Sequence, residues 1–435
     1  MPIRSNRLRR VVAVLATATC LSCAARREPE TPLPSAETFD TAWAIVRDEH
    51  FDEDLNGVDW NAVRDELRPR ALAAADAEDL RAVLDDMLGR LGQSHFAVSP
   101  GGDAPRPAAA PGGAEPGFEF NILATGEVVV VEVDPGGPAG QAGIRAGWIL
   151  RSVDGERQPP GSGPPQARYE GVAAALDGPP GSSAHLEFED GVGRLVSVDV
   201  VRRVVPGEPV RFGNLPPFRT RFDARLLEDA ARAVTVGVVR FNLWMPVLAA
   251  RFDEAVDRFR SADGMVVDLR GNLGGVAGLV MGTAGHFLDR RVDLGTMKTR
   301  ESEMRFYANP RLVTADGRRV TPFAGPLAIL VDARTASTSE VFAGGLQDLG
   351  RARVFGSRTA GAVLPALMER LPSGDVLYHA VADYRTPSGV VLEGRGVIPD
   401  EIVPVTREDL LAGRDAALEA ALDWMARETT QEDAR

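Results

Sequence analysis

Apolar residues recur at helical spacing in three segments near the start of the chain. Ser35 is expected to cap the first helix and Asp76 the third. A second helix is predicted from Trp60 to Ala74, and the third ends before Gly92. The apolar positions that define the first and third helices are Phe39, Trp43, Val46, Leu80, Val83, Leu84, Met87, Leu88 and Leu91. We therefore predict a helical domain over residues 35–100, with Ser94 and His95 directly after its last helix.

The pattern of apolar and polar residues then changes at about residue 101 and again at about residue 117. Residues 101–116 are rich in Pro, Ala and Gly, and this composition predicts a linker that cannot bury much surface. Residues 117–203 form a second predicted domain, in which 126–158 reads as strand, turn, short helix, turn and strand. The Pro-rich stretch 156–165 is expected to be a long loop within it. This domain is therefore predicted to be rich in β-structure.

From about residue 232, apolar strands alternate with helices. Strands are predicted at Val234–Phe241, Met265–Leu269 and Leu327–Asp332, and helices at about 248–261, 274–287 and 337–349. This alternation predicts an α/β domain with a largely parallel core sheet over residues 204–428, followed by a polar tail at 429–435. In such sheets, sites form at the carboxyl ends of strands, where the loops 268–275 and 332–340 lie.

The first 22 residues have a basic start followed by an apolar run that is too short to span a membrane as a helix, which is typical of an export signal. Cys23 follows a small residue, as in the lipid-attachment motif of bacterial lipoproteins, although Cys20 stands where that motif has an aliphatic residue. We expect lipidation at Cys23 and a tether over residues 23–34. An ordinary secretory signal is the alternative. Either reading predicts an exported protein of the bacterial cell envelope or periplasm.

Composition narrows the class of protein. The chain has 435 residues, 44% of them hydrophobic and 26% charged, which is typical of a globular protein with two or three domains. Its formal charge is −13, although the first 22 residues carry four arginines and no acid. Such an acidic surface is unsuited to nucleic acid or anionic lipid. A membrane partner is therefore expected only through a lipid anchor.

The stretch ARTASTSEVFAGGL, residues 333–346, places several hydroxyls at the start of a predicted helix. Ser337 is a candidate nucleophile, because free amides and the helix dipole favour negative charge there. The alternative is that Ser337 only caps the helix, with Glu340 completing a capping box. Residues 271–275 follow a buried strand and could form an anion-binding nest, or only a tight turn.

Several motifs in order resemble those of the S41 serine peptidases, the family of the C-terminal processing proteases and the tricorn core protease. Residues 335–340, 346–352, 268–275 and 392–400 resemble its S-A-S-A-S-E, Q-D-x-G-R-A, D-x-R-x-N-x-G-G and E-x-x-G-V-x-P-D segments. The resemblance implies a ClpP/crotonase-like α/β catalytic domain. One departure concerns the base: Ala362 stands where the Ser-Lys members carry lysine, and Lys298 is the only lysine in the chain. Arginine cannot serve instead, because it remains protonated.

Gly92-Gln93-Ser94-His95 resembles the G-x-S-H segment of the tricorn branch, in which a histidine is the base. The resemblance implies that Ser337 is the nucleophile and His95 the base, with Glu393 and Ser94 orienting the imidazole. We expect the pKa of His95 to lie at ~6.5 or to be raised by Glu393. The resemblance also implies an oxyanion hole formed by the backbone amides of Thr338 and of Gly274 or Gly275. Asp348 matches a family aspartate, but a structural role at a helix end is equally compatible.

Residues 138–155 resemble a PDZ domain, with Trp148 where an aspartate is usual. Gly117, Phe118, Glu119 and Phe120 lie where that family has its carboxylate-binding loop. PDZ domains add a peptide as an extra strand and hold its terminal carboxylate on backbone amides. The expected partners are therefore proteins or peptides with a free C-terminus.

The leading hypothesis is an exported serine endopeptidase that recognises substrate tails through its PDZ domain. The alternative is a catalytically inactive scaffold that binds C-termini without cutting them. Metal-dependent hydrolysis finds no support, because the sequence has no HExxH segment and no close cluster with ligand spacing. No cofactor and no metal site are expected.

Overall fold

The computed structural model describes residues 33–101, 113–158, 165–211 and 218–433. The predicted signal peptide, Cys23 and nearly all of the tether lie outside the described residues, as does most of the predicted linker. From Pro34 onward the described chain forms one compact unit. In the part of the chain that the structure describes, no helix has the length and apolar content needed to cross a bilayer.

The helical segment contains α1 (Ser35–Glu49), a 3₁₀ turn (Leu55–Gly57), α2 (Trp60–Leu72) and α3 (Ala77–Gly89), followed by β1 (Ala97–Ser99). The Asp76 cap is confirmed, because its carboxylate accepts the amides of the second and third residues of α3. The prediction for Ser35 was wrong: α1 begins at that residue, and Pro34 stands at the cap position without a side-chain hydrogen bond. Trp43 and Trp60 connect α1 to α2 by two hydrogen bonds, since each indole N–H donates to the other residue's carbonyl.

The second region is an antiparallel sheet with two helices. Its strands are β2 (Ala114–Glu115), β3 (Phe118–Ile122), β4 (Val128–Val133), β5 (Ile149–Val153), β6 (Glu156–Arg157), β7 (Ser183–Glu189), β8 (Leu195–Val201) and β9 (Arg203–Val204), and its helices are α4 (Pro138–Gln141) and α5 (Pro165–Leu176). The strand order is β3-β4-β5-β7-β8, which leaves β3 at an edge, and β2 pairs with β9. The predicted loop 156–165 therefore begins with a short strand and ends at the first residue of a helix.

The third region holds the remaining elements. Its strands are β10 (Glu208–Val210), β11 (Phe218–Thr220), β12 (Phe222–Asp229), β13 (Val234–Phe241), β14 (Gly264–Asp268), β15 (Val292–Lys298), β16 (Glu303–Ala308), β17 (Leu327–Val331), β18 (Arg353–Gly356), β19 (Ala366–Arg370), β20 (Val376–Ala380), β21 (Asp383–Arg385) and β22 (Glu401–Ile402). Its helices are α6 (Pro246–Arg258), α7 (Leu279–Ala284), α8 (Thr338–Asp348), α9 (Arg407–Leu411) and α10 (Ala416–Asp433), with a 3₁₀ turn at Gly285–Phe287.

The core sheet has the order β12-β13-β14-β17-β18-β22 and is parallel except for β12. Alternate residues of its central strands enter two separate cores, one against α6, α7 and α8 and the other against α10. Covering both faces explains why every residue of β14 and β17 is buried and why their central residues are apolar rather than alternating with polar ones. The prediction of a largely parallel core sheet is confirmed.

Two of the predicted helix boundaries differ from those in the structure. The helix predicted over 274–287 begins only at Leu279, because Gly274 and Gly275 have φ values of +98° and +138°, which a helix cannot contain. The polar residues at the end do not form a separate tail within the described residues, since α10 continues to Asp433. The apolar face of α10 stabilises this helix, because Ala421, Leu422 and Met425 pack in the core, and the helix continues from there through the polar residues.

Strand β1 connects the helical region to the third region. It pairs antiparallel with β20 in the sheet β1-β20-β19, with Ala97 opposite Tyr378. His95 lies two residues before this pairing. The short strand therefore fixes the chain segment that carries His95 against a part of the fold that is distant in sequence.

Candidate active site

Two loops meet at the carboxyl ends of the neighbouring strands β14 and β17. Asp332 directly follows β17, and its Oδ1 accepts the amides of Gly271 and Thr335, each at 3.0 Å. The amide of Ala336 donates to the carbonyl of Asn272 at 3.0 Å. These bonds hold the glycine loop 271–275 beside the segment that leads to Ser337.

The four hydroxyls of residues 335–339 have different partners. Thr335 Oγ1 donates to the carbonyl of Leu269 at 2.9 Å, and Thr338 Oγ1 donates to the carbonyl of Gly275 at 2.8 Å. The indole of Trp244 donates to Ser339 Oγ at 2.8 Å. Three hydroxyls thus fix the loops, and only Ser337 is directed to a histidine.

Ser337 has an unusual backbone conformation. Its φ and ψ are 57° and −123°, a combination that non-glycine residues rarely adopt. Ser337 stands at the cap position of α8 and forms a capping box with Glu340, whose Oε2 accepts the amide of Ser337 at 3.1 Å. Capping is not its only contact, because its hydroxyl also lies 3.2 Å from His95 Nε2. Strain of this kind is often found at functional sites.

A chain of hydrogen bonds leads from Ser337 to Glu393. Ser337 Oγ lies 3.2 Å from His95 Nε2, and His95 Nδ1 lies 2.7 Å from Ser94 Oγ. Ser94 Oγ donates to Glu393 Oε2 at 3.0 Å. Since this hydroxyl has one proton and gives it to the carboxylate, it accepts from Nδ1–H of His95. The network therefore selects the tautomer in which Nε2 is free to accept a proton from Ser337.

Glu393 is itself fixed by the backbone. Its two carboxylate oxygens accept the amide of Ser94 at 2.8 Å and the amide of Val363 at 2.9 Å. Together with the bond from Ser94 Oγ, these contacts join the end of the helical region to the loop after β18. The structure thus brings Ser94, His95, Ser337 and Glu393 together in one chain of hydrogen bonds.

The electrostatic setting of His95 differs from the expectation. Burial lowers the pKa of His95 to about 4, because the protonated form loses hydration among packed side chains. The ring packs against Tyr378, with 5.6 Å between centroids. Burial is the cause of this shift, and Glu393, which contacts the imidazole only through the hydroxyl of Ser94, does not raise the pKa as expected. The imidazole is therefore neutral at physiological pH.

The candidate oxyanion donors lie next to Ser337. Thr338 is the first residue of α8, so its amide has no acceptor within the helix. A side chain at Gly274 would meet Ser337, since an added Cβ would lie 2.6 Å from that residue's Cβ. The amide of Gly274, however, already donates to Asn272 Oδ1 at 2.9 Å. Of the two glycines left open by the sequence, Gly275 is therefore the better candidate.

Sequence reasoning underestimated Glu340. This carboxylate is fully buried and accepts four hydrogen bonds, from Thr359 Oγ1 and from the amides of Ser337, Gly361 and Ala362. Ala362 in turn accepts the amide of Ser337 through its carbonyl at 2.7 Å. Burial raises the pKa of Glu340 to about 7, although the four donors act in the opposite direction. Glu340 thus ties the loop after β18 to the residue before α8.

Two further candidates have other roles. Asp348 accepts the amide and the hydroxyl of Ser388, each at 2.6 Å, which is the structural role at a helix end. Lys298 is exposed at the end of β15, opposite Glu303 and Asp383 on the neighbouring strands. Neither side chain belongs to the hydrogen-bonded chain around Ser337.

The residues of the predicted tail-binding segment lie at the start of the edge strand β3. Gly117 has a φ of +93°, and the aromatic rings of Phe118 and Phe120 pack inward. Glu119 instead pairs with Arg221 at 2.7 Å and Arg240 at 3.0 Å in the third region.

A cavity of about 350 Å³ lies between β3, helix α5 and the third region. Its lining includes Phe118, Ala173, Leu243, Leu273 and Arg334. Leu273 directly precedes the glycines beside Ser337, and Arg334 lies three residues before Ser337. The edge of the second region therefore opens toward both loops of the site.

Three family models match this chain. The model described as peptidase family S41 matches residues 235–403, the tricorn protease C1 domain matches residues 35–89, and the PDZ domain matches residues 129–190. The S41 match includes Ser337 and Glu393, whereas His95 follows the C1 match.

Curated relatives and solved structures extend the likeness to most of the chain. The chloroplastic C-terminal processing peptidase of Tetradesmus obliquus is 30% identical over 401 residues, covering 87% of this chain and 81% of the relative. A carboxyl-terminal-processing protease of Picosynechococcus is 28% identical, covering 89% and 88%. The structure of the photosystem II D1 C-terminal processing protease has a TM-score of 0.58 at 24% identity, covering 90% of this chain and 97% of that one. Mature CPAF has a TM-score of 0.63 at 15% identity, covering 91% and 97%. At these identities the two structures support the fold alone.

Proposed function

This chain belongs to peptidase family S41 and is a serine-type peptidase, and we propose that it is an exported endopeptidase in which Ser337 is the nucleophile and His95 the general base. The observation that carries the proposal is the 3.2 Å contact between Ser337 Oγ and His95 Nε2, backed by the hydrogen bonds to Ser94 and Glu393. No lysine occupies position 362, where the Ser-Lys members carry their base.

The reaction begins with proton transfer from Ser337 Oγ to the neutral Nε2 of His95 as Oγ bonds to the carbonyl carbon of the scissile peptide. The amides of Thr338 and Gly275 stabilise the oxyanion. The imidazolium then gives its proton to the leaving amine, which breaks the C–N bond and leaves an acyl-enzyme. Water, deprotonated by the same imidazole, attacks the ester, and its proton returns to Ser337 as the acid product leaves.

Ser94 and Glu393 act through His95 rather than on the substrate. The hydroxyl of Ser94 accepts Nδ1–H and donates to Glu393, so the ring stays in one tautomer and one orientation. Because the imidazole is partly buried and neutral at rest, it can accept a proton without first losing one. The polar relay stabilises the imidazolium only when it forms.

Substrate tails are proposed to bind along β3, with the terminal carboxylate at the amides of residues 117–120. The strand is an edge of its sheet, as addition of a peptide strand requires. The adjoining cavity extends from Phe118 to Leu273, beside the glycine loop. A tail held there can present an upstream peptide bond to Ser337. Export and lipidation at Cys23 remain part of the proposal and rest on the N-terminal sequence.

The test compares the parent enzyme with Ser337→Ala on an unstructured protein that has a free, apolar C-terminus. We expect cleavage by the parent and none by the variant, with both folded by circular dichroism. Cleavage by both would reject Ser337 as the nucleophile. If the parent binds the tail but cuts neither this protein nor a broad peptide library, the inactive-scaffold alternative replaces the proposal.

A further inference from the structure

A second cluster of ionisable side chains lies behind the sheet that supports His95. It consists of Glu49 at the end of α1, Glu369 on β19 and His379 on β20. One ligand atom from each residue lies within 4.8 Å of the other two. The cluster takes no part in the proposed peptidase mechanism.

The strand register explains why two of these side chains face the same way. In the antiparallel pair β19–β20, Leu367 lies opposite His379, and Glu369 lies opposite Leu377. Because side chains on one face recur every second residue, Glu369 and His379 share a face and are diagonal neighbours. Tyr378 points to the other face, where its ring packs against His95. Helix α1 brings Glu49 to the first face, 3.8 Å from His379 Nε2.

The ring nitrogens of the buried His379 lack hydrogen-bond partners among the described residues. Its side chain is 0% exposed, and within the described ranges neither ring nitrogen has a hydrogen-bond partner. Leaving a buried polar group unpaired destabilises the folded state, so such a group calls for an explanation. The nearest carboxylate oxygen, on Glu49, is too distant for a hydrogen bond but suitably placed to share a cation.

We propose that Glu49, Glu369 and His379 form a binding site for one zinc ion. One imidazole and two carboxylates are a donor set that zinc accepts, and three protein ligands leave the fourth position of a tetrahedral ion for water. Zn–N and Zn–O bonds are about 2.0–2.2 Å long, so ligand atoms around a tetrahedral ion lie roughly 3.3–3.6 Å apart. Glu49 and His379 are already 3.8 Å apart, and a contraction of at most roughly 1.5 Å brings the widest pair of the cluster into range.

The charges of the cluster agree with this assignment. Burial and the neighbouring Glu369 raise the pKa of Glu49, because two carboxylates repel each other in a partly buried place. A divalent ion neutralises both carboxylates. Burial lowers the pKa of His379 to about 4, so its lone pairs are available to a metal. Glu49 is 42% exposed, which gives the ion a path from solvent.

Zinc at this site would join α1 to the sheet β1-β20-β19. The ion would therefore brace the strand that carries Tyr378, on the face opposite His95. Its expected effect is on stability, since a ligand that binds only the folded state raises the unfolding midpoint. No sequence pattern indicates this site, because its three residues lie far apart along the chain and no two have ligand spacing.

The experiment measures zinc binding to the full chain by equilibrium dialysis with metal analysis, together with thermal unfolding with and without zinc chloride. The parent is expected to bind one zinc that Glu49→Gln, Glu369→Gln and His379→Gln each lose, and to unfold at a higher temperature with zinc. Removing a ligand should weaken binding by more than the roughly 10–100-fold that loss of an outer-shell partner costs. Two controls should retain the zinc: Glu37→Gln, an exposed residue of α1, and His185→Gln, an exposed histidine paired with Asp199.

Cobalt chloride provides a second readout, which separates this site from the two cysteines of the N-terminus. Cobalt bound by nitrogen and oxygen gives visible d–d bands without near-ultraviolet thiolate charge-transfer bands. These d–d bands should disappear in Glu369→Gln, a half-buried residue whose replacement keeps its shape, even if His379→Gln fails to fold. Absence of zinc binding by the parent, thiolate bands, or zinc binding unchanged in Glu369→Gln and Glu49→Gln would each overturn the proposal.

Discussion

The Nε2 atom of His95 lies 3.2 Å from the Oγ atom of Ser337, although 242 positions separate the two residues along the chain. Two local features create this contact. The strand after His95 pairs with β20, and Ser337 follows a core strand in a strained backbone conformation. Both residues have positive φ, 63° for His95 and 57° for Ser337. Their placement thus depends on tertiary structure that overrides local preference.

Replacing Ser337 separates stability from activity. Ser337→Ala should abolish cleavage while lowering the free energy of unfolding by only about 1 kcal/mol, which is the typical cost of losing a helix-capping hydroxyl. Ser337→Gly should be equally inactive, but its free energy of unfolding should exceed that of Ser337→Ala by about 1 kcal/mol, since glycine accepts the positive φ without strain. Urea unfolding and peptide cleavage by the two variants check this. A glycine variant clearly less stable than the alanine variant would contradict the role of backbone strain.

The pH dependence follows from the partly buried imidazole of His95. Because burial lowers the pKa of His95 to about 4, the proposed base is neutral throughout pH 5–8. In kcat/KM, which reports the free enzyme, the acid limb should therefore fall through about pH 4 and not through the ~6.5 of an ordinary histidine. An acid limb at 6.5 or above would show that Glu393, not burial, determines the pKa of the imidazole.

Replacing Glu393 tests the carboxylate that orients His95 through Ser94. Glu393→Gln should lower kcat by up to about 10⁴-fold, as loss of the orienting carboxylate does in serine peptidases.

Glu340→Gln tests the carboxylate that holds the loop after β18. Both carboxylate oxygens accept backbone amides, so the NH₂ group of glutamine would face donors wherever it turned. We expect lower kcat and a loss of about 1–3 kcal/mol per donor left unpaired. Glu37→Gln, exposed on α1, is the matched control and should behave as the parent.

The same residue predicts a pH dependence of stability. A carboxyl whose pKa is raised from 4.5 to about 7 on folding contributes most below pH 4.5, and this contribution is lost as pH rises through 7. Unfolding free energies at pH 5, 6, 7 and 8 should therefore show a decline in the parent that Glu340→Gln lacks. Equal slopes in the two proteins would refute the assignment.

Binding of substrate tails is tested from helix α5. Ala173 is exposed and lines the cavity beside β3, whereas Ala174 is exposed on the same helix and does not line that cavity. Ala173→Trp should raise KM for a substrate with a free, apolar C-terminus and leave a short internal peptide unaffected. Ala174→Trp should change neither value. An equal effect of Ala173→Trp on both substrates would indicate general disturbance and not loss of tail binding.

Sequence patterns predicted those features that depend on local periodicity. Strand Val234–Phe241 has the predicted bounds, and the parallel core was evident because strands covered on both faces are continuously apolar. The start of α7 was missed because Gly274 and Gly275 have backbone angles that composition does not reveal. The strand at Glu156–Arg157 was missed because two residues are too short to show alternation.

The candidate site was accessible through motifs, but its energetics were not. Ser94, His95, Ser337 and Glu393 could be named because each stands in a recognisable segment. The low pKa of His95 depends on burial, which only three-dimensional packing determines. The same holds for Glu340, whose four donors come from Thr359 and from backbone positions up to 22 residues away.

The most direct test of the central claim is the rate at which a fluorophosphonate labels Ser337, measured by peptide mass spectrometry in the parent, His95→Ala and Lys298→Met. Such a reagent needs an activated serine but no knowledge of the natural substrate. The account predicts a phosphonyl adduct on Ser337 in the parent and at the same rate in Lys298→Met, with labelling slowed by several orders of magnitude in His95→Ala. Labelling at another residue, or an undiminished rate in His95→Ala, would contradict it.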